Sequence, residues 1–211
     1  MNSRFATEFV DALAAVRMPD VFNPYCDVCQ EHDLPNAPAI RRSNLMQVVQ
    51  GAAASRVDVL WVGLELGRRG GRRTGLPLTD EPRLPAMSEY WGGGPLRRAT
   101  RGEPMGEQTA TYVWQAVHQT RRRIFFWNVF PFHCHRPDLA TNRNHTKDEA
   151  EEVADLLPWL VSAIEPREIV ALGRAAYAGL SRLGLASRYV RHPGRGGGQV
   201  FLGAVHGRPN Q

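Results

Sequence analysis

Three polar side chains stand where hydrophobic runs of this chain stop. Val57-Asp58-Val59-Leu60-Trp61-Val62 runs into Gly63-Leu64-Glu65-Leu66-Gly67, Ile124-Phe125-Phe126-Trp127 into Asn128, and Ser187-Arg188-Tyr189-Val190-Arg191 into His192-Pro193-Gly194. Each run has the β-branched and aromatic content of a buried strand, and each is closed at once by glycine, proline or a lone polar group. In open parallel sheets ligands bind outside the carboxyl ends of the strands. A carboxylate, a carboxamide and an imidazole, far apart in sequence, then meet in space. The carboxylate can hold a water, the carboxamide offers one donor and one acceptor, and the imidazole can donate to an anion as it forms. That is an active-site pattern.

The elements that must position these groups follow from periodicity. Apolar spacing near 3.6 predicts a helix over Phe5 to Val16. Asn23-Pro24-Tyr25 and Asp33-Leu34-Pro35-Asn36 punctuate a loop before a second helix, Ala37 to Ala54. The first strand starts at Val57. Arg68 to Pro104 is rich in glycine, proline and arginine without a sustained period, and reads as a long surface excursion. A helix over Gln108 to Arg121 precedes the second strand, Ile124 to Trp127, and a loop through Asn144. Thr146-Lys147-Asp148-Glu149 fits a capping box opening a helix to about Ala163, disturbed at Pro158. Glu168 to Leu172 is the third strand, Arg174 to Leu183 the next helix, and the fourth strand delivers His192. Strands alternating with helices predict an α/β chain with a parallel sheet covered on both faces.

Composition narrows the class. The 211 residues suit one domain, 1–211, long enough to bury a sizeable core. A net charge of +5 and a pI near 9.6 are consistent with an anionic partner, and equally with solubility. Lys147 is the only lysine, so a Schiff-base mechanism has only Lys147 or the N-terminus as its amine. There is no basic-then-apolar leader and no apolar run of ~18 residues, so no membrane association is expected and the cytoplasm is the expected location. Three cysteines do not describe a disulfide framework.

The same residues carry a resemblance. The Gly-x-x-x-Gly turn after the first strand, Thr74-Gly75-Leu76-Pro77-Leu78, Asn128, the pair Asn142-Arg143 and His192-Pro193 together resemble the uracil-DNA glycosylase superfamily. Glu107 to Trp114 and Trp127 to His133 further resemble a bacterial branch of it, here with an atypical first motif. The resemblance runs from about Asn23 to Phe201. It implies a three-layer α/β/α sandwich with strand order 2-1-3-4, and hydrolysis of the N-glycosidic bond of an extruded uracil or other deaminated base in DNA. Extrusion is needed because stacking hides that bond from water. No cofactor is implied, and the protein is expected to act on DNA as a monomer.

Residue by residue, the resemblance implies Glu65 and His192 as catalytic groups, activating water and bonding the departing base. Glu65 stands where some branches have a water-binding Asp or Asn, but without the proline that follows it there. Its alternative is a surface acid favoured by a helix dipole. Asn128 is implied to read the base, or else to tie down a strand end. Gly63, Gly67, Thr74 and Leu78 are implied to shape the pocket, with His133 near it. Leu78 replaces an aromatic that would stack on the base, worth ~1–3 kcal/mol where present. Arg191, Gly194, Arg195 and Gly196 belong to the loop implied to approach DNA. Arg68, Arg69, Arg72 and Arg73 are candidates for phosphate contacts or a solvated charge run.

Cys26-x-x-Cys29 resembles the start of a set that holds an iron–sulfur cluster in one branch. Such a cluster needs four ligands, and beyond these two only Cys134 is present, with His32, His133 and His135 as the available completions. No metal is expected. Two other functions remain open: a nucleic-acid-binding relative that has lost excision, and a hydrolase of the same fold acting on a free nucleoside or nucleotide.

Overall fold

Continuous apolar runs become strands buried on both faces. In the computed structural model, which describes residues 2–205 apart from Leu139 and Arg195, the elements follow in this order: α1 (Asn2–Ala15), β1 (Val21–Phe22), α2 (Ala37–Ala53), β2 (Val59–Gly63), α3 (Gly71–Thr74), a 3-10 turn (Glu81–Arg83), α4 (Leu84–Trp91), α5 (Gln108–His118), β3 (Ile124–Asn128), β4 (His133–Cys134), α6 (Lys147–Glu152), α7 (Leu156–Ile164), β5 (Glu168–Leu172), α8 (Arg174–Arg182), β6 (Arg188–Val190) and α9 (Gly198–Val205).

The four parallel strands are ordered β3-β2-β5-β6, which is 2-1-3-4 when they alone are counted along the chain. Every residue of β2 and β3 is buried, as expected for a parallel sheet with helices on both faces. Alternate side chains of β3 show the two faces. Phe125 and Trp127 meet Trp91 of α4 and Phe9 of α1, with centroids 5.7 and 5.3 Å apart. Phe126 points the other way to Trp114 of α5 at 5.7 Å, and its neighbour Trp61 meets Phe201 of α9 at 5.4 Å. Register brings the strand ends level: Gly63 pairs with Asn128, and Leu172 with Val190. Among the described residues no helix is long and apolar enough to cross a membrane.

Two expectations change. The helix from Thr146 is two helices, interrupted at residues 153–155 rather than at Pro158. The capping box forms as read, with Thr146 Oγ1 accepting from Glu149 N at 3.2 Å and Glu149 Oε2 accepting from Thr146 N at 2.7 Å. The second helix restarts at Leu156, which puts Pro158 in a first turn where its missing N–H has no intrahelical acceptor to lose.

The stretch after Arg68 is likewise not a surface excursion throughout. Residues 70–81 are all buried. Arg73 pairs with Glu81 at 2.9 Å, Arg41 of α2 pairs with Asp33 at 2.6 Å and donates from Nε to Arg73 O at 2.9 Å, and Tyr25 Oη donates to Gly75 O at 2.7 Å. The segment lacks a period because turns and paired charges hold it, not one apolar face.

Candidate active site

The strand ends open into a cleft of about 850 Å³. Its wall includes Leu64 after β2, Glu107 and Thr109 at the start of α5, Leu172 and Gly173 after β5, and Arg191, His192 and Gly194 after β6. Asn142 and Asn144 face it from the loop before α6, and Arg69 and Arg174 add positive charge.

His192 is oriented by its own turn. Its Nδ1 lies 3.0 Å from the Gly194 N–H, a donor, so Nδ1 accepts and the neutral ring carries its proton on Nε2. Gly173, at φ +99°, has no side chain to crowd the ring: a Cβ there would lie 3.1 Å from His192 Cβ. The imidazole is thereby prepared as a donor.

Asn128 is enclosed. It is 1% exposed, and its Oδ1 has no hydrogen-bond partner among the described residues. A Cβ on Gly63 would lie 2.5 Å from that oxygen and 3.4 Å from Leu78 Cδ2, so the amide and Leu78 share the space over Gly63. Leu78, at φ +55°, is buried. Thr74 holds the turn that carries it, its hydroxyl donating to Thr79 O at 2.9 Å and accepting from Leu76 N at 3.1 Å. Thr74 therefore acts on this turn through the backbone.

The two acids near the first turn face different ways. Glu65 Oε1 accepts from both the backbone N–H and Nδ1 of His145, each at 2.7 Å, and His145 stacks on Phe130 at 5.0 Å. Glu65 does not line the cleft, and Glu107 does. The Glu107 carboxylate lies against Gly67 and Gly70, where no Cβ intervenes. Burial, with Asp80 nearby, pushes its carboxyl above the usual range, and Arg69 opposes that shift.

The family model for the Uracil DNA glycosylase superfamily matches residues 50–209, which contain all of these groups. The chain belongs to this superfamily. Its fold is similar to that of a solved structure, Pedobacter heparinus SMUG2, at 14% identity and a TM-score of 0.59, over 95% of this chain and 94% of that one. A search of curated proteins finds no match.

Within this superfamily fold, several residues that sequence reasoning singled out sit elsewhere. Arg72 and Arg73 are buried, so their guanidiniums are not presented to phosphate. Arg73 is spent on Glu81, and Arg72 lies over Phe22 at 5.1 Å, with Nη2 2.7 Å from His32 Nε2. Arg68, Arg69 and Arg191 are exposed, and of these Arg69 and Arg191 line the cleft. Gly194 lines it too, and Gly196, at φ +77°, has open space around it. Arg195 lies outside the described residues.

His133 does not line the cleft but supports a residue that does. Its Nε2–H faces Thr141 O at 2.9 Å and Asn142 Oδ1 at 3.1 Å, and the same oxygen accepts from Arg68 N at 3.3 Å. With Oδ1 engaged, the Asn142 amide keeps its N–H groups for the cleft. Burial and then Arg72 push the His133 imidazole down to about 4. The neutral form is what the fold binds, so this stabilisation is complete above the unfolded value of ~6.5 and is lost as pH falls toward 4. Unfolding monitored against pH is expected to lose about 3 kcal/mol over that window, and His133→Gln to flatten it. An unchanged slope in the variant would contradict this assignment.

The cysteines do not converge. Cys26 Sγ donates to Asp27 Oδ1 at 3.5 Å, whereas Cys29 Sγ meets His32 Nδ1 at 3.5 Å. Cys29, Glu31 and His32 place ligand-type atoms within 4.8 Å of one another. The Arg72 guanidinium beside His32 and Cys29 puts a fixed positive charge where a cation would sit. The residues present do not fit a four-thiolate cluster.

Sequence reasoning missed Glu107 as a cleft acid, His145 as the partner of Glu65, and Arg174 at the start of α8. The signal for Glu107 was an acid immediately before an amphipathic helix, after a long aperiodic stretch.

Proposed function

We propose that the protein hydrolyses the N-glycosidic bond of an extruded uracil or other deaminated base in DNA. The observation that carries the reading is the buried Oδ1 of Asn128 at a strand end beside Gly63, without a hydrogen-bond partner among the described residues. A buried acceptor without a donor costs about 1–3 kcal/mol, and a base presenting an N–H edge satisfies it. The carboxamide N–H groups suit the adjacent carbonyl of such a base and disfavour the exocyclic amine of cytosine. His192 Nε2–H is the donor for the anion that the departing base becomes. Arg69, Arg174 and Arg191 suit phosphates flanking the extruded nucleotide, which favours a polymer over a free nucleoside. Glu65 anchors the first turn against His145. Base excision repair is the process this activity would serve.

A binding-only relative is favoured by one observation: Leu78 can pack on a base but has no π face to stack on it. Labelled oligonucleotides carrying uracil, hypoxanthine or xanthine, single-stranded and paired, decide between the readings when treated with protein and then alkali. Base-specific, salt-sensitive cleavage is expected. Salt-dependent binding without cleavage would select the binding-only relative, and base release from deoxyuridine alone the free-nucleoside hydrolase.

A further inference from the structure

The carboxylate that the first-turn motif leads one to expect is held by His145 and does not line the cleft, whereas a second acid, Glu107 from another element, does. We propose that Glu107 is the catalytic carboxylate that holds the attacking water and faces the cationic sugar. This rests on the glycosylase reading above.

Three observations support it. Glu107 is the N-cap residue of α5, yet its side chain makes no cap hydrogen bond to its own helix, the usual use of an acid at that position. Its backbone is fixed instead: its N–H donates to Asp80 Oδ2 at 2.7 Å, an oxygen that also accepts from Arg83 Nη1 at 2.7 Å, and its carbonyl accepts from Thr111 N at 3.1 Å. The side chain crosses to Gly67 and Gly70, the far part of the turn that Glu65 begins, and among the described residues its carboxylate accepts no hydrogen bond and makes no ion pair. Glu65, by contrast, has Oε1 occupied by two donors from His145.

The second observation is proximity to the departing-base side. Thr109, two residues along, is close enough to the His192 turn that a Cβ on Gly194 would lie 3.4 Å from Thr109 Oγ1 and 3.0 Å from His192 Nδ1. Glu107 and His192 thus border one cleft from adjoining walls. Third, the charged groups facing Glu107 are Asp80, on the segment before the 3-10 turn, and Arg69, on the first turn. Burial and Asp80 raise its carboxyl and Arg69 lowers it, and the net upward direction makes it a better proton acceptor than an ordinary surface carboxylate.

The step balances without a co-reactant. The C1′–N bond breaks with its electron pair leaving on the base, which becomes an anion bonded by His192 Nε2–H. Water oxygen forms the new bond to C1′, and its proton passes to the Glu107 carboxylate.

The test uses two abasic-site oligonucleotides, one with a cationic pyrrolidine in place of the sugar and one with neutral tetrahydrofuran, beside single-turnover base release. Wild type is expected to bind the cationic probe about tenfold more tightly. Glu107→Gln is expected to lose that preference, to slow release about 10²-fold, and to lose the acid limb of the pH–rate profile, whereas Glu65→Gln keeps the preference. Because a raised carboxyl costs the fold stability as pH rises through it, Glu107→Gln is expected to melt higher than wild type at pH 8, which also shows that it folds. A Glu107→Gln protein with wild-type release and an unchanged preference overturns the proposal and leaves the glycosylase reading standing. No release by wild type on any substrate removes that reading, and an absent charge preference in wild type removes the role of Glu107.

Discussion

Asn128→Leu is expected to stabilise the protein and to abolish base release. Leucine has a similar volume and no polar atom. It removes a buried Oδ1 that has no partner among the described residues, so the fold is relieved of about 1–3 kcal/mol. On a chain of this size that is a rise of roughly 2–4 °C per kcal/mol in melting temperature. The same substitution removes the polar side chain over Gly63 that is proposed to read the base edge, and the expected loss of release is about 10²–10³-fold. Calorimetry beside single-turnover release checks both signs. A variant less stable than wild type would show that Asn128 ties down its strand end and reads nothing.

Asp33→Ala is expected to have the largest effect on stability. Asp33 and Arg41 pair at 2.6 Å with side chains 0% and 1% exposed, and the other Asp33 oxygen accepts from Cys29 N at 2.9 Å. Removing the carboxylate strands a guanidinium in the interior, which costs about 3–5 kcal/mol. The effect reaches the site because Arg41 also donates to Arg73 O, in the buried segment that ends by placing Leu78. Urea unfolding is expected to show the loss, with release from the folded fraction reduced as well. A change under ~1 kcal/mol would mean that Arg41 finds another partner.

How much of this was legible depended on whether local pattern or distant partners decided a side chain's direction. The strands, their order of appearance and the groups at their ends were readable, since a parallel strand buried on both faces leaves an uninterrupted apolar run and its terminator stands out. Asn128 and His192 were singled out that way. The resemblance added the strand order. Glu65 and Glu107 show the limit. Both are acids near the first turn, but which one faces the cleft depends on His145, 80 residues from Glu65, and on two glycines that let the Glu107 carboxylate approach. Arg72 and Arg73 resemble an exposed charge run, and only the fold reveals the Glu81 and His32 that take them inside. The break at residues 153–155 was displaced from the proline because a proline in a first helical turn costs little.

The most direct test of the account is single-turnover release of the preferred base by wild type and His192→Ala, with the affinity of each for the same DNA measured in parallel. If the strand-end cleft is an N-glycosidic hydrolase site with His192 Nε2–H as donor to the departing base, wild type releases base. The variant then releases it about 10²–10³-fold more slowly at an affinity within a few fold. Equal release rates, or no release by wild type from any deaminated substrate, would contradict it.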